Sequence, residues 1–127
     1  MIKNQTILNV TDNSGAKFVR CLKIFKKGSI PRYCTIGDII LGSVTKLRLK
    51  NRYLSKVKKG DLVLGVIVRC RTFVKRKIGL NFSFSTNSII LINKQRKPIG
   101  SRILGLVAFE LRAKKFSKIM SMARGII

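Results

Sequence analysis

Histidine and tryptophan are absent from this 127-residue sequence, and four acids stand against 28 lysines and arginines. Each shortage excludes a class of function. Without histidine the usual general base is missing, so neither a Ser-His nor a Cys-His nucleophile can be assembled from this chain alone. Asp12, Asp38, Asp61 and Glu110 are widely spaced. They show neither the carboxylate cluster that metal-dependent nucleases place around their ions nor the near pair that glycosidases use, although spacing alone leaves pairing in the fold open. Three cysteines, Cys21, Cys34 and Cys70, are an odd number at spacings unlike paired metal-ligand motifs, so free buried thiols in a reducing compartment and no metal site are expected. No Walker pattern and no G-x-G-x-x-G occurs, so no nucleotide cofactor is expected. The expectation is a non-enzymatic protein.

Long apolar runs are also missing. The longest, Leu62 to Val68, is interrupted by Gly65 and falls far short of the roughly 18 residues a membrane-spanning helix needs. The N-terminal residues Met1 to Gln5 show neither a secretory apolar stretch nor an Arg- and Ser-rich leader, which leads to the expectation that the protein acts where it is made.

What the sequence has in excess is positive charge, a formal net of +24. A folded body with that charge repels itself unless a polyanion neutralises it. The cations run from Lys3 to Arg124 through every segment rather than along one amphipathic helix or tail, which favours RNA enclosing much of the surface over an anionic membrane. Ile and Lys each occur 17 times against four alanines. An AT-rich coding genome produces that skew, and organelle genomes often have one.

At this length one domain is the default, with 46% hydrophobic residues to build its core. Turn signals recur at Asp12-Asn13-Ser14-Gly15, Lys26-Lys27-Gly28, Ile36-Gly37-Asp38, Lys58-Lys59-Gly60-Asp61, Lys77-Ile78-Gly79 and Lys97-Pro98-Ile99-Gly100. Between them lie runs rich in β-branched and aromatic residues at strand length: Thr6 to Val10, Lys17 to Phe25, Ile39 to Leu49, Leu62 to Cys70, Leu80 to Phe84 and Ser88 to Ile92. Many short strands point to a small barrel. Leu62 to Val68 is apolar on both faces, as a strand covered on two sides would be. The stretch from Lys46 through Arg52 to Lys59 reads as a β-ribbon with Lys50, Asn51 and Arg52 at its tip. Only the end looks helical: Phe116, Ile119, Met120 and Ala123 form one apolar stripe at helical spacing. Glu110 sits where a carboxylate meets the positive end of a helix. The barrel is expected over about residues 1–105 and the helical region over about 106–127.

The acids lie in or beside turns, or at a helix start, where they have structural roles. The candidate phosphate contacts are therefore the clustered cations: Lys46, Arg48, Lys50, Arg52, Lys56, Lys58 and Lys59 along the ribbon, Arg69 and Arg71 at the end of the fourth run, Lys75, Arg76 and Lys77 after it, and Arg96 and Lys97, with Lys94, before the Pro-Ile-Gly turn. Arginine can fork to phosphate or stack on unpaired bases, whereas lysine acts as a point charge. Isolated cations such as Lys3 and Lys23 act weakly as single surface charges.

The order of these segments resembles a known family. Gln5-Thr6-Ile7-Leu8-Asn9-Val10-Thr11-Asp12-Asn13-Ser14-Gly15-Ala16 is similar to the opening of the universal fourteenth protein of the large ribosomal subunit. The likeness continues through Gly37-Asp38-Ile39-Ile40, Lys56 to Asp61, Gly65 to Arg69 and Phe82 to Asn93, and ends with Pro98 to Gly105, Glu110-Leu111-Arg112 and Phe116 to Ile119. It therefore covers essentially the whole chain.

The resemblance implies a mostly-β fold: a small five-stranded β-barrel with a projecting β-ribbon and short C-terminal helices. It implies a structural role in the large subunit, with binding to large-subunit rRNA, neighbouring proteins of the third and nineteenth families, and bridges to small-subunit rRNA. In bacteria and organelles the family's C-terminal surface can receive a ribosome-silencing factor, and the matching positions are Ser101, Arg102, Lys118 and Ser121. The sequence departs from the family at Ile78 and Ser85, where acids are usual, and at Leu106, where proline is usual. Loss of those acids hints at altered RNA or extra protein neighbours of the kind organellar ribosomes have. The expected compartment is the mitochondrial matrix, with plastid and bacterial cytoplasm as alternatives. The competing readings are an extraribosomal RNA-binding barrel and a cationic membrane-surface protein.

Overall fold

Five paired strands close into a barrel. In the computed structural model, which describes residues 2–25, 33–48 and 55–127, the strands are β1 (Ile7–Val10), β2 (Ala16–Phe25), β3 (Ile39–Leu47) and β4 (Leu62–Arg69), followed by β5 (Val74–Lys75), β6 (Asn81–Phe82) and β7 (Ser88–Ile92). The barrel order is β1-β2-β3-β4-β7, with β1 and β7 parallel at the closing seam and the other neighbours antiparallel. Closure leaves no free sheet edge.

Leu8 and Val10 of β1, Val19 and Cys21 of β2, Ile40 and Val44 of β3 and Val66 of β4 are all buried, the period-two pattern of a wall with one dry face. β4 and β7 differ: Val66 to Val68 and the whole of Ser88 to Ile92 are buried. The two-sided burial expected of Leu62 to Val68 thus holds from Gly65 onward, while Leu62 is exposed and Leu64 only partly buried. The chain that follows contributes Ile103, Val107, Ala108, Leu111, Phe116 and Ile119 to the same core. Each such side chain, fully removed from water, contributes about 1.5–3 kcal/mol.

The C-terminal segment folds as a pair of short strands bracketing two short helices. Leu106–Val107 (β8) pairs in parallel with Gly125–Ile126 (β9), and between them lie α1 (Glu110–Ala113) and α2 (Ser117–Met122). Phe116, Ile119 and Met120 of the helical stripe are buried, and Ala123 packs against the core. Glu110 opens α1, as its sequence position indicates.

The strand expected at Leu80 to Phe84 is shorter, because the Phe84 N–H leaves the ladder for the Cys70 carbonyl at 3.0 Å. β5 and β6 form a separate two-stranded ribbon outside the barrel. The tip of the ribbon expected at Lys46 to Lys59 lies outside the described residues. Its described return arm, Ser55 to Asp61, carries no strand. Instead it folds back, the Lys56 N–H reaching the Ser14 carbonyl at 2.9 Å and the Gly60 N–H the Val44 carbonyl at 2.8 Å. The external ribbon seen among the described residues is therefore the one at Val74 to Phe82.

The first turn and the segment before the helices are locked together by Asp12. Its carboxylate is fully buried and accepts the Ser14 N–H at 3.0 Å, the Ser14 hydroxyl, and the Leu91 N–H of β7 at 2.8 Å. Gly100 lies against it so closely that an added Cβ would fall 2.8 Å from the Asp12 Cβ and 2.9 Å from the Asn13 nitrogen. The Asn13 N–H then bonds the Arg102 carbonyl at 3.1 Å and the Leu104 N–H the Thr11 carbonyl at 2.7 Å. Two segments distant in sequence, Thr11 to Gly15 and Pro98 to Leu104, thus form one unit.

Candidate nucleic-acid interface

All four carboxylates are engaged within the fold. Asp12 forms the hub just described. Asp38 is buried, accepts the Thr35 N–H at 2.9 Å and the Thr35 hydroxyl at 3.1 Å, and pairs with Lys114 at 3.5 Å. Asp61 accepts the Lys58 N–H at 2.7 Å, closing its turn. Glu110 takes the Arg76 Nε at 2.8 Å and the Arg76 Nη2 at 3.3 Å. Burial alone would raise the Glu110 carboxyl, but the hydrogen bond from Arg76, a backbone bond and the Arg76 charge outweigh it and hold the group below its ordinary value. The same hydrogen bond raises Arg76. With two carboxylates paired to cations and the other two occupied by backbone and hydroxyl donors, little negative charge is left to offset the remaining cations.

The sequence-predicted cations divide into two kinds. Four have donors committed to the protein. Arg48 Nη2 bonds the Val10 carbonyl at 2.8 Å, and Lys56 Nζ the Ile99 carbonyl at 2.8 Å. Arg69 bonds the Leu106 carbonyl through Nε at 2.7 Å and the Leu104 carbonyl through Nη2. Arg76 adds to its Glu110 pair a bond to the Ile127 carbonyl at 2.7 Å and lies 4.3 Å from the Phe82 ring centre. Burial lowers the pKa of Arg69, and no carboxylate pairs with it among the described residues.

The others are exposed. Lys46 lies next to the end of β3, Lys58 and Lys59 precede Gly60 in its turn, Arg71 follows β4, and Lys75 and Lys77 lie on the β5–β6 ribbon. Arg96 and Lys97, with Lys94, crown a tight turn after β7 in which the Arg96 N–H bonds the Asn93 carbonyl at 2.8 Å and the Asn93 N–H bonds the Lys97 carbonyl at 2.8 Å. Arg96 there has φ +61°, a left-handed conformation that non-glycine residues rarely adopt. Three cations are thus presented on one rigid turn. Lys50 and Arg52 lie outside the described residues.

The four positions expected to receive a partner are exposed as well. Ser101 and Arg102 lie on the segment packed over the Asp12 turn, whereas Lys118 and Ser121 lie on α2, where the Ser121 hydroxyl caps the Lys118 carbonyl at 2.9 Å. The three cysteines are buried and form no disulfide. A hydrogen bond to Cys34 holds the Cys21 thiol below its ordinary value against the effect of burial.

Sequence reasoning passed over Lys17 and Phe18. Both line a cleft of about 830 Å³ together with Lys46, Arg48 and Arg69. An aromatic within a strand reads as core, and only the registration of β2 with its neighbours reveals that this one is not.

Among the described residues no group of His, Cys, Asp and Glu is placed to hold a metal ion, and no helix is long and apolar enough to cross a membrane. The small closed barrel thus carries a cationic surface, its acids being consumed by turns and anchors. The family model for ribosomal protein L14p/L23e matches residues 1–127, and the chain belongs to that family of structural, non-enzymatic proteins of the large ribosomal subunit.

Proposed function

We propose that the protein binds large-subunit rRNA through its free cation clusters and, from that position, contributes to bridges with small-subunit rRNA. The observation that carries this reading is the charge inventory: a net charge of +24 with every carboxylate engaged internally. Phosphate contacts of this kind fix register and orientation rather than read sequence, which suits a structural role. The candidate contacts fall into two groups. Lys46, Lys58, Lys59, Arg71, Lys75, Lys77, Arg96 and Lys97 offer uncommitted charge, while Arg48, Lys56, Arg69 and Arg76 are held by carbonyl or carboxylate partners and present fewer donors. Lys50 and Arg52 complete the set on sequence grounds.

The family relationship supports neighbouring proteins of the third and nineteenth families as contacts, and a ribosome-silencing factor at Ser101, Arg102, Lys118 and Ser121. The Ile- and Lys-rich, Ala-poor composition favours a mitochondrial ribosome.

Sucrose-gradient sedimentation of gently lysed organelles at moderate salt, with the protein located by mass spectrometry, tests the assignment. Co-migration with large subunits is expected; sedimentation away from them would favour an extraribosomal RNA-binding barrel. Affinity for RNA should fall steeply with salt. If about eight phosphates are neutralised, the log–log slope is about −6 to −7, and a slope near zero would contradict the electrostatic account.

A further inference from the structure

Phe18 is only half-buried although it lies within a barrel strand, near the start of β2. Its neighbours Val19 and Cys21 face the core, so the ring belongs to the outer surface of the sheet. Directly across the ladders it pairs with Asn9 of β1 and Lys46 of β3. The β2–β3 register shifts on both sides of it, between Ala16 and Phe18 and again between Phe18 and Val19. Such bulges re-aim side chains and gather beside functional sites. Here they aim an aromatic ring outward, where it lines a cleft of about 830 Å³, within the roughly 300–1,000 Å³ range of pockets that take small ligands.

The cleft is cationic. Lys17, Lys46, Arg48 and Arg69 line it, and none of its lining residues is acidic. Lys17 Nζ lies 5.5 Å from the Phe18 ring centre. Arg48 and Arg69 are held rigidly by backbone carbonyls, so their orientation is fixed in advance. Half-burying the Arg69 charge without a carboxylate is unfavourable, and an incoming anion would offset that cost. An outward aromatic flanked by polar and cationic side chains on a sheet surface is the arrangement on which single-stranded RNA bases stack.

We propose that this cleft takes one unpaired RNA nucleotide, its base stacked on Phe18 and its flanking phosphates held by the surrounding lysines and arginines. The inference rests on the RNA-binding reading above and deepens it: most of the surface contacts phosphates, whereas this cleft selects a nucleotide that is out of the duplex.

The test uses the full chain and three RNA hairpins: fully paired, with a single bulged uridine, and with an abasic residue at the bulge. Fluorescence anisotropy at fixed salt should give roughly ten- to a hundredfold tighter binding of the bulged uridine than of the other two, the range expected from stacking one base on an aromatic ring. Phe18→Leu should abolish that preference and leave affinity for the paired hairpin unchanged. A folded variant that retains the preference would overturn the proposal. Independently of any variant, 4-thiouridine at the bulge should photocrosslink to the wild-type protein at Phe18 or its strand neighbours, and a crosslink mapping elsewhere would also overturn it. Equal, salt-dependent affinity for all three hairpins would sink the cleft proposal while leaving general RNA binding intact. Salt-independent or undetectable binding to every hairpin would instead sink the RNA-binding reading, and the cleft with it.

Discussion

The β4–β7 wall and the β5–β6 ribbon are built from similar residues and have opposite fates. Val66, Ile67, Ile89 and Ile90 in the wall are fully buried, whereas Phe73, Ile78 and Leu80 around the ribbon are 72%, 84% and 63% exposed. The wall is sealed by strands on either side and by the C-terminal segment behind it. The ribbon is fixed by Arg76, through its pair with Glu110 and its bond to Ile127, by the edge-on contact of Phe82 with Phe84 at 5.6 Å, and by the packing of Val74 and Phe82 against the core. The wall is thus enclosed by its neighbours, while the ribbon exposes apolar area that the fold does not use.

The sharpest way to break this comparison is at Asp12. Asp12→Ala strips acceptors from the buried Leu91 and Ser14 N–H groups and should destabilise the barrel by about 3–5 kcal/mol, in the range for breaking buried polar networks. Chemical denaturation would measure it, and a loss under 1 kcal/mol would show that the two locked segments hold together without the hub. Next in size is a matched pair of truncations. Ile67→Ala, at a fully buried position, should cost about 2–5 kcal/mol. Ile78→Ala should stay within about 0.5 kcal/mol, as surface changes do. Equal costs would mean that the ribbon is as integral to the fold as the wall.

Much of the wall was legible in the sequence and less of the ribbon was. The apolar run Leu62 to Val68 announced two-sided burial, which the fold shows from Gly65 to Val68, whereas Leu62 is exposed and Leu64 only partly buried. The Lys58-Lys59-Gly60-Asp61 and Lys77-Ile78-Gly79 turns were legible too, and Gly60 and Gly79 do adopt positive φ. The ribbon at Val74 to Phe82 was not legible, because alternating cation and leucine at Lys46 to Lys50 is the stronger local pattern, while Val74 to Phe82 is held by a partner 34 positions away in sequence; the tip of the ribbon read at Lys46 to Lys59 lies outside the described residues. The same limit applies to the interface. Clusters of lysine and arginine stand out in a sequence, but whether a guanidinium is free or tied to a carbonyl, as Arg69 is to Leu104 and Leu106, depends on tertiary neighbours. Phe18 went unnoticed for a related reason: an aromatic within a strand reads as core, and its place on the outer face emerges only once β2 is registered against its neighbours.

Glu110→Gln probes the attachment of the ribbon directly. The pair is partly exposed, with 25% and 28% of its side chains accessible, so the global loss should be only about 0.5–1 kcal/mol. Hydrogen exchange at Val74 to Phe82 should nevertheless accelerate while β4 and β7 stay protected. The folded-state carboxyl lies below its ordinary value, so its contribution is present above the unfolded pKa and is lost as pH falls through the lowered folded one. The wild type should therefore lose ribbon protection on acidification below the ordinary glutamate range, and the Gln variant should show no such step. An identical acid step in both would place the titrating group elsewhere.

The smallest expected effect has opposite signs on stability and binding. Arg96 holds a left-handed φ of +61° at the apex of the turn after β7, a conformation that costs a non-glycine residue of the order of 1 kcal/mol. Glycine adopts it freely. Arg96→Gly should therefore stabilise the fold by about 0.5–1 kcal/mol while removing one phosphate contact and reducing the salt slope of RNA binding by about 1. Such a result would mean that the turn keeps a strained cation for its charge, at an end of the barrel wall that would be more stable without it. A stabilised variant with an unchanged slope would leave the strain without an RNA-binding role, and phosphate contact at that turn would then rest on Lys94 and Lys97.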